Sequence, residues 1–263
     1  MGPPRILVFD SGLGGLTVHQ PIARLRPDAE LIYVADDAFF PYGALAEGAL
    51  VARVVALMGD LIARFRPDLV VIACNTASTL VLGPLREKFE TPFVGTVPAI
   101  KPAALASRSK LISVLATPGT VARDYTRGLI ASFAGDCEVT LVGAPRLATF
   151  AEAALRGEAV ADADIALEIA PAFTERAGRR TDQIVLACTH FPLLGARLAA
   201  LAPWAVKWVD PAPAIARRVD ALLGPATGGA ASRPPFAVFT RGAPVSPALR
   251  GALLERGLSV SSL

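Results

Sequence analysis

The sequence predicts an α/β fold built on mainly parallel sheets, and two observations carry that expectation. Short apolar runs alternate with longer amphipathic stretches almost from end to end, and a run such as Leu69-Val70-Val71-Ile72-Ala73 has no polar alternation. A strand apolar on both faces needs cover on both faces, which the helices of βαβ crossovers supply. The punctuation also repeats. Arg24-Leu25-Arg26-Pro27-Asp28 and Arg64-Phe65-Arg66-Pro67-Asp68 each place arginine in a last helical turn and proline just beyond it. Cations there complement the helix dipole, and proline stops the helix before the next strand.

Ile6-Leu7-Val8-Phe9 makes a first strand over 5–9, and the glycines after Asp10 turn the chain into a helix over 15–26. A strand over 31–35 and a long amphipathic helix over 45–65 follow. The apolar run of 69–73 is a third strand, with a helix over 77–89 and a short strand over 93–97. Beyond these, strands are expected at 111–116, 138–142, 184–187, 206–209 and 236–240. The helices between them are expected at 120–133, 159–177, 192–201 and 212–223. Residues 224–235, rich in glycine and proline, read as a surface loop.

At 263 residues the chain has room for one large domain or two modest ones, each able to bury a core without staples. A charged fraction of 19% argues against disorder. The net charge of +3 comes from scattered arginines rather than a stripe, which disfavours a nucleic-acid surface. Three cysteines, Cys74, Cys137 and Cys188, form no Cys-x-x-Cys pair, so neither a disulfide scaffold nor a zinc site is expected. No stretch approaches the roughly 20 apolar residues of a membrane span, and the apolar run after Met1 is too short for a signal peptide. A cytoplasmic location is the resulting expectation.

Polar residues gather just after the strands: Asp10-Ser11, Asp36-Asp37, Cys74-Asn75-Thr76, Thr117, Cys188-Thr189-His190 and Asp210. Ligands of open α/β sheets bind at this carboxyl edge. Asp10-Ser11-Gly12-Leu13-Gly14-Gly15 invites a dinucleotide reading, but Thr17 stands where the third glycine belongs. The loop suits a carboxylate or phosphate at a helix N-terminus, or is a plain turn capped by Asp10. Two segments echo one another, Val70-Val71-Ile72-Ala73-Cys74-Asn75-Thr76 and Ile184-Val185-Leu186-Ala187-Cys188-Thr189-His190. A single buried cysteine is usually a small hydrophobe, but two at equivalent strand ends suggest chemistry. His190 can help Cys188 exchange a proton, whereas Cys137 lacks such context and His19 reads as structural. None of the four lysines, Lys88, Lys101, Lys110 and Lys207, stands in a motif for a pyridoxal Schiff base. Two thiols suit inversion of a carbon centre, a thiolate taking a proton from one face while a thiol returns one to the other. Their ordinary pKa of about 8.5 puts both forms within reach near neutrality.

Taken jointly, the motifs closely resemble those of the glutamate racemases, cofactor-independent enzymes of the Asp/Glu racemase family that make D-glutamate for peptidoglycan. The matching blocks run in family order over residues 9 to about 223: Phe9–Val18, Pro41-Tyr42-Gly43, Ala73–Ala77, Val97–Ala103, Ala116–Thr120, Phe150-Ala151-Glu152, Ala187–Leu194 and Ala214–Arg218. The resemblance implies two α/β domains facing one another across the site, 1–97 plus 210–263 and 98–209, in a chain that is often dimeric. It implies Cys74 and Cys188 as catalytic acid/bases, with Asp10 assisting Cys74 and His190 and Glu152 assisting Cys188. It assigns substrate binding to Asp10, Ser11, Tyr42, Gly43, Asn75, Thr76, Thr189 and His190, with Thr117 and Thr120 as further contacts. No cofactor or metal is implied, and some relatives require a cell-wall precursor as activator. The chain departs from the usual Gly-Asp-Thr-Ala-Arg before Pro-Tyr-Gly, reading Ala35-Asp36-Asp37-Ala38-Phe39. An aspartate racemase on the same scaffold is the alternative, decided by the shape of the side-chain pocket.

Overall fold

A computed structural model describes residues 2–226, 229 and 231–262. Of the expected loop at 224–235, residues 227, 228 and 230 lie outside the described residues. Strands β1 (Arg5–Asp10), β2 (Glu30–Ala35), β3 (Leu69–Ile72), β4 (Phe93–Gly95), β5 (Leu111–Ala116) and β6 (Glu138–Gly143) come first. They are followed by β7 (Glu175–Arg176), β8 (Arg179–Arg180), β9 (Gln183–Ala187), β10 (Lys207–Val209), β11 (Phe236–Phe239) and β12 (Ser259–Ser261). The helices are α1 (Leu16–Leu25), α2 (Glu47–Phe65), α3 (Asn75–Lys88), α4 (Ile100–Ala106), α5 (Pro118–Ala122) and α6 (Asp124–Phe133). After them come α7 (Leu147–Leu155), α8 (Asp162–Ile169), α9 (Gly195–Leu201), α10 (Ala212–Leu223) and α11 (Pro247–Leu254).

Two parallel sheets organise the chain, one in the order β12-β11-β2-β1-β3-β4 and the other β10-β9-β5-β6. The strand period of two sorts the side chains of the first sheet onto opposite faces. Ile6, Val8, Leu31, Tyr33 and Val71 pack with Leu16, Ile22, Ile215 and Val219 of α1 and α10. Leu7, Phe9, Ile32, Val34 and Ile72 pack instead with Leu50, Val54, Leu57 and Val81 of α2 and α3. The second sheet is covered in the same way, Leu115, Ile184 and Leu186 meeting Leu147, Ile165 and Leu198 on one face. On the other, Ile112, Val114 and Val185 meet Ile100 and Ala103 of α4. The uninterrupted apolar runs in the sequence are the consequence of this double cover.

Several boundaries differ from the sequence expectation. The helix expected over 120–133 breaks at Arg123, whose φ of −78° and ψ of 140° are extended, leaving α5 and α6. The helix expected over 159–177 ends at Ile169, where a short 3₁₀ turn with Pro171 follows. The chain then makes the antiparallel β7–β8 hairpin, turning through Ala177 and Gly178 at positive φ. Proline cannot supply the N–H that the helix needs, and glycine takes the left-handed turn without strain. Helices α4, α7 and α11 and strand β12 were not anticipated. Leu7 is fully buried at the centre of the first sheet. Leu7→Ala therefore lowers stability by about 2–5 kcal/mol, which urea unfolding followed by circular dichroism will measure.

Candidate active site

The strand register brings the polar residues together. Phe9 lies opposite Ile72 and Asp10 opposite Ala35, so Asp10-Ser11, Asp36 and Ala73-Cys74 leave the first sheet side by side. In the second sheet Ala116 lies opposite Ala187, so Thr117 and Cys188 leave it together. Cys74 from the first sheet and Thr117 and Cys188 from the second line one cavity with Ser11, Tyr42, Gly43, Asn75, Thr76, Thr189 and His190. Phe40, Pro41 and Ala148 complete its wall, and its volume is about 20 Å³, room for about one water. Asp10, Thr120 and Glu152 stand behind this lining, each buried.

Cys74 immediately precedes α3. Its Sγ donates to Ser11 Oγ at 3.8 Å, and Ser11 Oγ is 3.5 Å from Asp10 Oδ1. Asp10 also accepts from the Gly12 N–H and the Thr189 hydroxyl, both at 2.9 Å. Burial, reinforced by the Asp10 charge, pushes the Cys74 thiol up to about 12 despite a hydrogen bond from the Ala77 N–H. Burial raises the Asp10 carboxyl as well, against the pull of His190 and the hydrogen bonds of Gly12 and Thr189. The resting state on this side is therefore a thiol linked through a hydroxyl to a carboxyl.

The Cys188 side is built differently. Its Sγ is 3.9 Å from His190 Nδ1, and His190 Nε2 is 2.9 Å from Glu152 Oε1. The same Glu152 oxygen accepts the Leu13 N–H at 2.5 Å, across the cleft. Burial alone would lower His190; its hydrogen bonds with Cys188 and Glu152 and the neighbouring negative charges hold it well above the usual imidazole range. Glu152 moves the opposite way, His190, the Leu13 N–H and Arg156 overcoming its burial. The pair is thus imidazolium and carboxylate, with Nε2–H donating to Glu152 and Nδ1–H facing the thiol. The Gly14 N–H, 3.2 Å from Nε2, can donate there only when that nitrogen is unprotonated.

Other polar groups wait around the cavity. Asn75 is buried and both carboxamide atoms have no hydrogen-bond partner among the described residues, a costly state unless a ligand supplies them. Thr76, Thr117 and Thr120 hydroxyls form a triangle with sides of 3.1–3.3 Å. Arg123 reaches from the second sheet's helices to donate to the Thr76 carbonyl and Thr79 hydroxyl at 2.5 Å each. Gly43 lies against Thr117, where an added Cβ would come within 3.3 Å. Tyr42 donates to Asp36 Oδ2 at 2.6 Å, leaving the backbone of 42–43 toward the cavity.

The structure also explains the departure before Pro41. Asp36 is fully buried and is gripped by Arg53 of α2 through two nitrogens, at 3.0 and 2.7 Å. The Arg53 guanidinium lies 4.3 Å above the centre of the Phe39 ring. A cation from α2, stacked on Phe39, therefore stands on the carboxylate that orients Tyr42. Sequence reasoning missed Phe40, Ala148, Arg53 and Arg123. Only Arg53 left a signal, a cation beside the buried stripe of Leu50, Val54 and Leu57. Asp210, collected at a strand end, accepts the Ala212 N–H at 2.9 Å and does not line the cavity.

Two parallel sheets that meet at their carboxyl edges define the fold class, and comparison with known proteins gives the family. The chain belongs to the Asp/Glu/Hydantoin racemase family, whose model matches residues 17–219; it is an amino-acid racemase. Within that family it is similar to curated glutamate racemases. That of Brucella anthropi is 60% identical over 84% of this chain and 80% of its own. That of Brucella canis is 58% identical over 83% and 79%. A crystal structure of Escherichia coli glutamate racemase with L-glutamate and the activator UDP-MurNAc-Ala superposes with a TM-score of 0.91 at 41% identity, covering 99% of this chain and 98% of that one. The Bacillus anthracis isoform RacE1 gives 0.82 at 25% identity, covering 100% and 98%. No helix among the described residues is long and apolar enough to cross a membrane.

Two outcomes follow from this geometry. A Cβ on Gly14 would collide with the His190 ring and the Thr189 hydroxyl, so Gly14→Ala lowers kcat/KM by about a hundredfold with an unchanged circular dichroism spectrum. The thiol of Cys74, held near 12, is mostly protonated at pH 8. Its alkylation by iodoacetamide, followed by peptide mass spectrometry, therefore keeps accelerating through pH 10, where an ordinary thiol of pKa about 8.5 has levelled off.

Proposed function

We propose that this glutamate racemase interconverts L- and D-glutamate by direct proton transfer between Cys74, the substrate α-carbon and Cys188. The observation that carries the reading is the pair of buried thiols at equivalent strand ends of the two sheets, lining one cavity with separate polar partners. In one direction the Cys188 thiolate takes the α-proton and the Cys74 thiol returns its own to the opposite face. The products are the inverted amino acid, a Cys188 thiol and a Cys74 thiolate; the reverse reaction exchanges the roles. His190, as an imidazolium oriented by Glu152, supplies positive charge where Cys188 must carry negative. Ser11 and Asp10 link to Cys74 and accept or return its proton.

The orphaned carboxamide of Asn75, the threonine hydroxyls of Thr76, Thr117, Thr120 and Thr189, Ser11 and the backbone at Tyr42-Gly43 hold the two carboxylates. A cavity of about 20 Å³ cannot contain glutamate, so the halves 1–97 plus 210–263 and 98–209 part to admit it and close again. The enzyme works in the cytoplasm as a homodimer, without a cofactor, and its D-glutamate enters peptidoglycan. A cell-wall precursor of the kind bound to the Escherichia coli relative activates it.

The test is incubation of each enantiomer in D2O, following optical rotation and α-deuteration. Racemisation with deuterium uptake is expected, with Cys74→Ser and Cys188→Ser each losing activity by about a thousandfold or more. Racemisation that persists in both variants would defeat the two-thiol reading, and turnover of aspartate in preference to glutamate would reassign the substrate. Added UDP-MurNAc-Ala is expected to raise the rate; no response removes the activator from the account.

A further inference from the structure

Glu152 uses only one of its two oxygens on the catalytic side. Oε1 receives both the Leu13 N–H and His190 Nε2, while Oε2 points outward and accepts from Arg156 Nη2 at 3.1 Å. Arg156 caps the C-terminal end of α7, one turn beyond Glu152 on the same face. It lines an open pocket of about 400 Å³ on the far side of Glu152 and Phe40 from the thiols. The chain of contacts therefore runs from a solvent-facing guanidinium to a buried thiol: Arg156 to Glu152 at 3.1 Å, Glu152 to His190 at 2.9 Å, His190 to Cys188 at 3.9 Å.

We propose that Arg156 is a positioning residue for the Cys188 half of the reaction. Its grip on Oε2 fixes the Glu152 carboxylate so that Oε1 holds His190 against the thiol. An exposed pair at i,i+4 ordinarily contributes little. Here the carboxylate is almost fully buried and must keep one oxygen on two donors at once. Without the outer anchor it can rotate, or take up a proton, and either event loosens the imidazolium. The charged groups that bear on the pair are few. His190 faces Cys188, Glu152 and Asp10; the outer pocket adds Asp37, Glu158 and Arg241, of which Asp37 and Arg241 pair with one another at 3.8 Å.

The inference rests on the two-thiol reading, and its test separates the two. In a racemase the equilibrium constant is one, so kcat/KM is equal in both directions whatever the mutation; the asymmetry must be read in isotope effects. In Arg156→Met, kcat/KM falls about tenfold, the loss of one charge-assisted hydrogen bond to a buried group. Transfer to and from Cys188 becomes the slower step. With α-deuterated substrates, the primary isotope effect then rises for the enantiomer that Cys188 deprotonates and falls toward one for its mirror image. The acid limb of kcat/KM moves to higher pH because Glu152 protonates more readily, and Arg156→Lys restores most of the rate and the limb. Unchanged isotope effects and acid limb in Arg156→Met, or an Arg156→Lys no better than Arg156→Met, overturn the proposal. If Cys188→Ser still racemises, the two-thiol reading fails and the positioning role with it; if it is inactive while Arg156→Met is unaltered, only the positioning role fails.

Discussion

The site depends on hydrogen bonds that cross from one sheet's edge to the other. Parallel sheets place every carboxyl end on one side, so polar residues collected there have few partners within their own sheet. In this chain they find them opposite. The Leu13 N–H donates to Glu152, the Thr189 hydroxyl to Asp10, and the Thr17 hydroxyl to the Thr189 carbonyl at 3.0 Å. Burying a carboxylate is costly unless donors compensate it; groups from the facing half help to offset that cost, in part for Asp10, which burial still raises, and more fully for Glu152. The contacts that hold the two sheet edges together are therefore the same ones that orient Asp10 and Glu152.

The two thiols are not given equal surroundings, an inequality that the proposed two-thiol transfer requires. A proton can be removed on one face and returned on the other only if one sulfur starts as a thiolate and the other as a thiol. Around Cys74, burial and the Asp10 carboxyl favour the thiol, pushed up to about 12. Around Cys188, an imidazolium held by Glu152 lies within 3.9 Å of the sulfur. The Asp10 loop bridges both settings. Glycine at 12 and 14 lets its backbone approach Glu152, His190 and Thr189, where any Cβ would collide.

The parallel character and the site's edge were legible because they depend on local patterns. The apolar runs at 69–72 and 111–116 and the polar groups just beyond them report double cover and strand ends directly. Helix α7 was not legible, although Glu152 rides on it. Leu147-Ala148-Thr149-Phe150-Ala151 carries no N-cap side chain; Gly157, at a φ of 79°, marks only where the helix stops, and packing against the second sheet decides its conformation. Arg53 and Arg123 were illegible for another reason. Their partners are 17 and 47 positions away in sequence, and nothing in a single chain marks which surface arginine turns inward. Phe40 likewise becomes meaningful only when the fold sets its ring 5.2 Å from that of His190.

On the proposed reading, a cavity of about 20 Å³ requires a step before chemistry. Admitting glutamate would separate the sheet edges and break the Leu13–Glu152 and Thr189–Asp10 hydrogen bonds. Water would then reach the carboxyl groups, and the burial that holds Cys74 as a thiol would be relieved. Glu152 would keep Arg156, on its own helix, and His190, but lose the donor that fixes Oε1. Closure over the substrate would restore that donor and expel water, so the proposed proton transfer would belong to the closed form. The low charge and apolar character of the chain serve that end: the strands that carry the thiols are buried up to the residue before each cysteine.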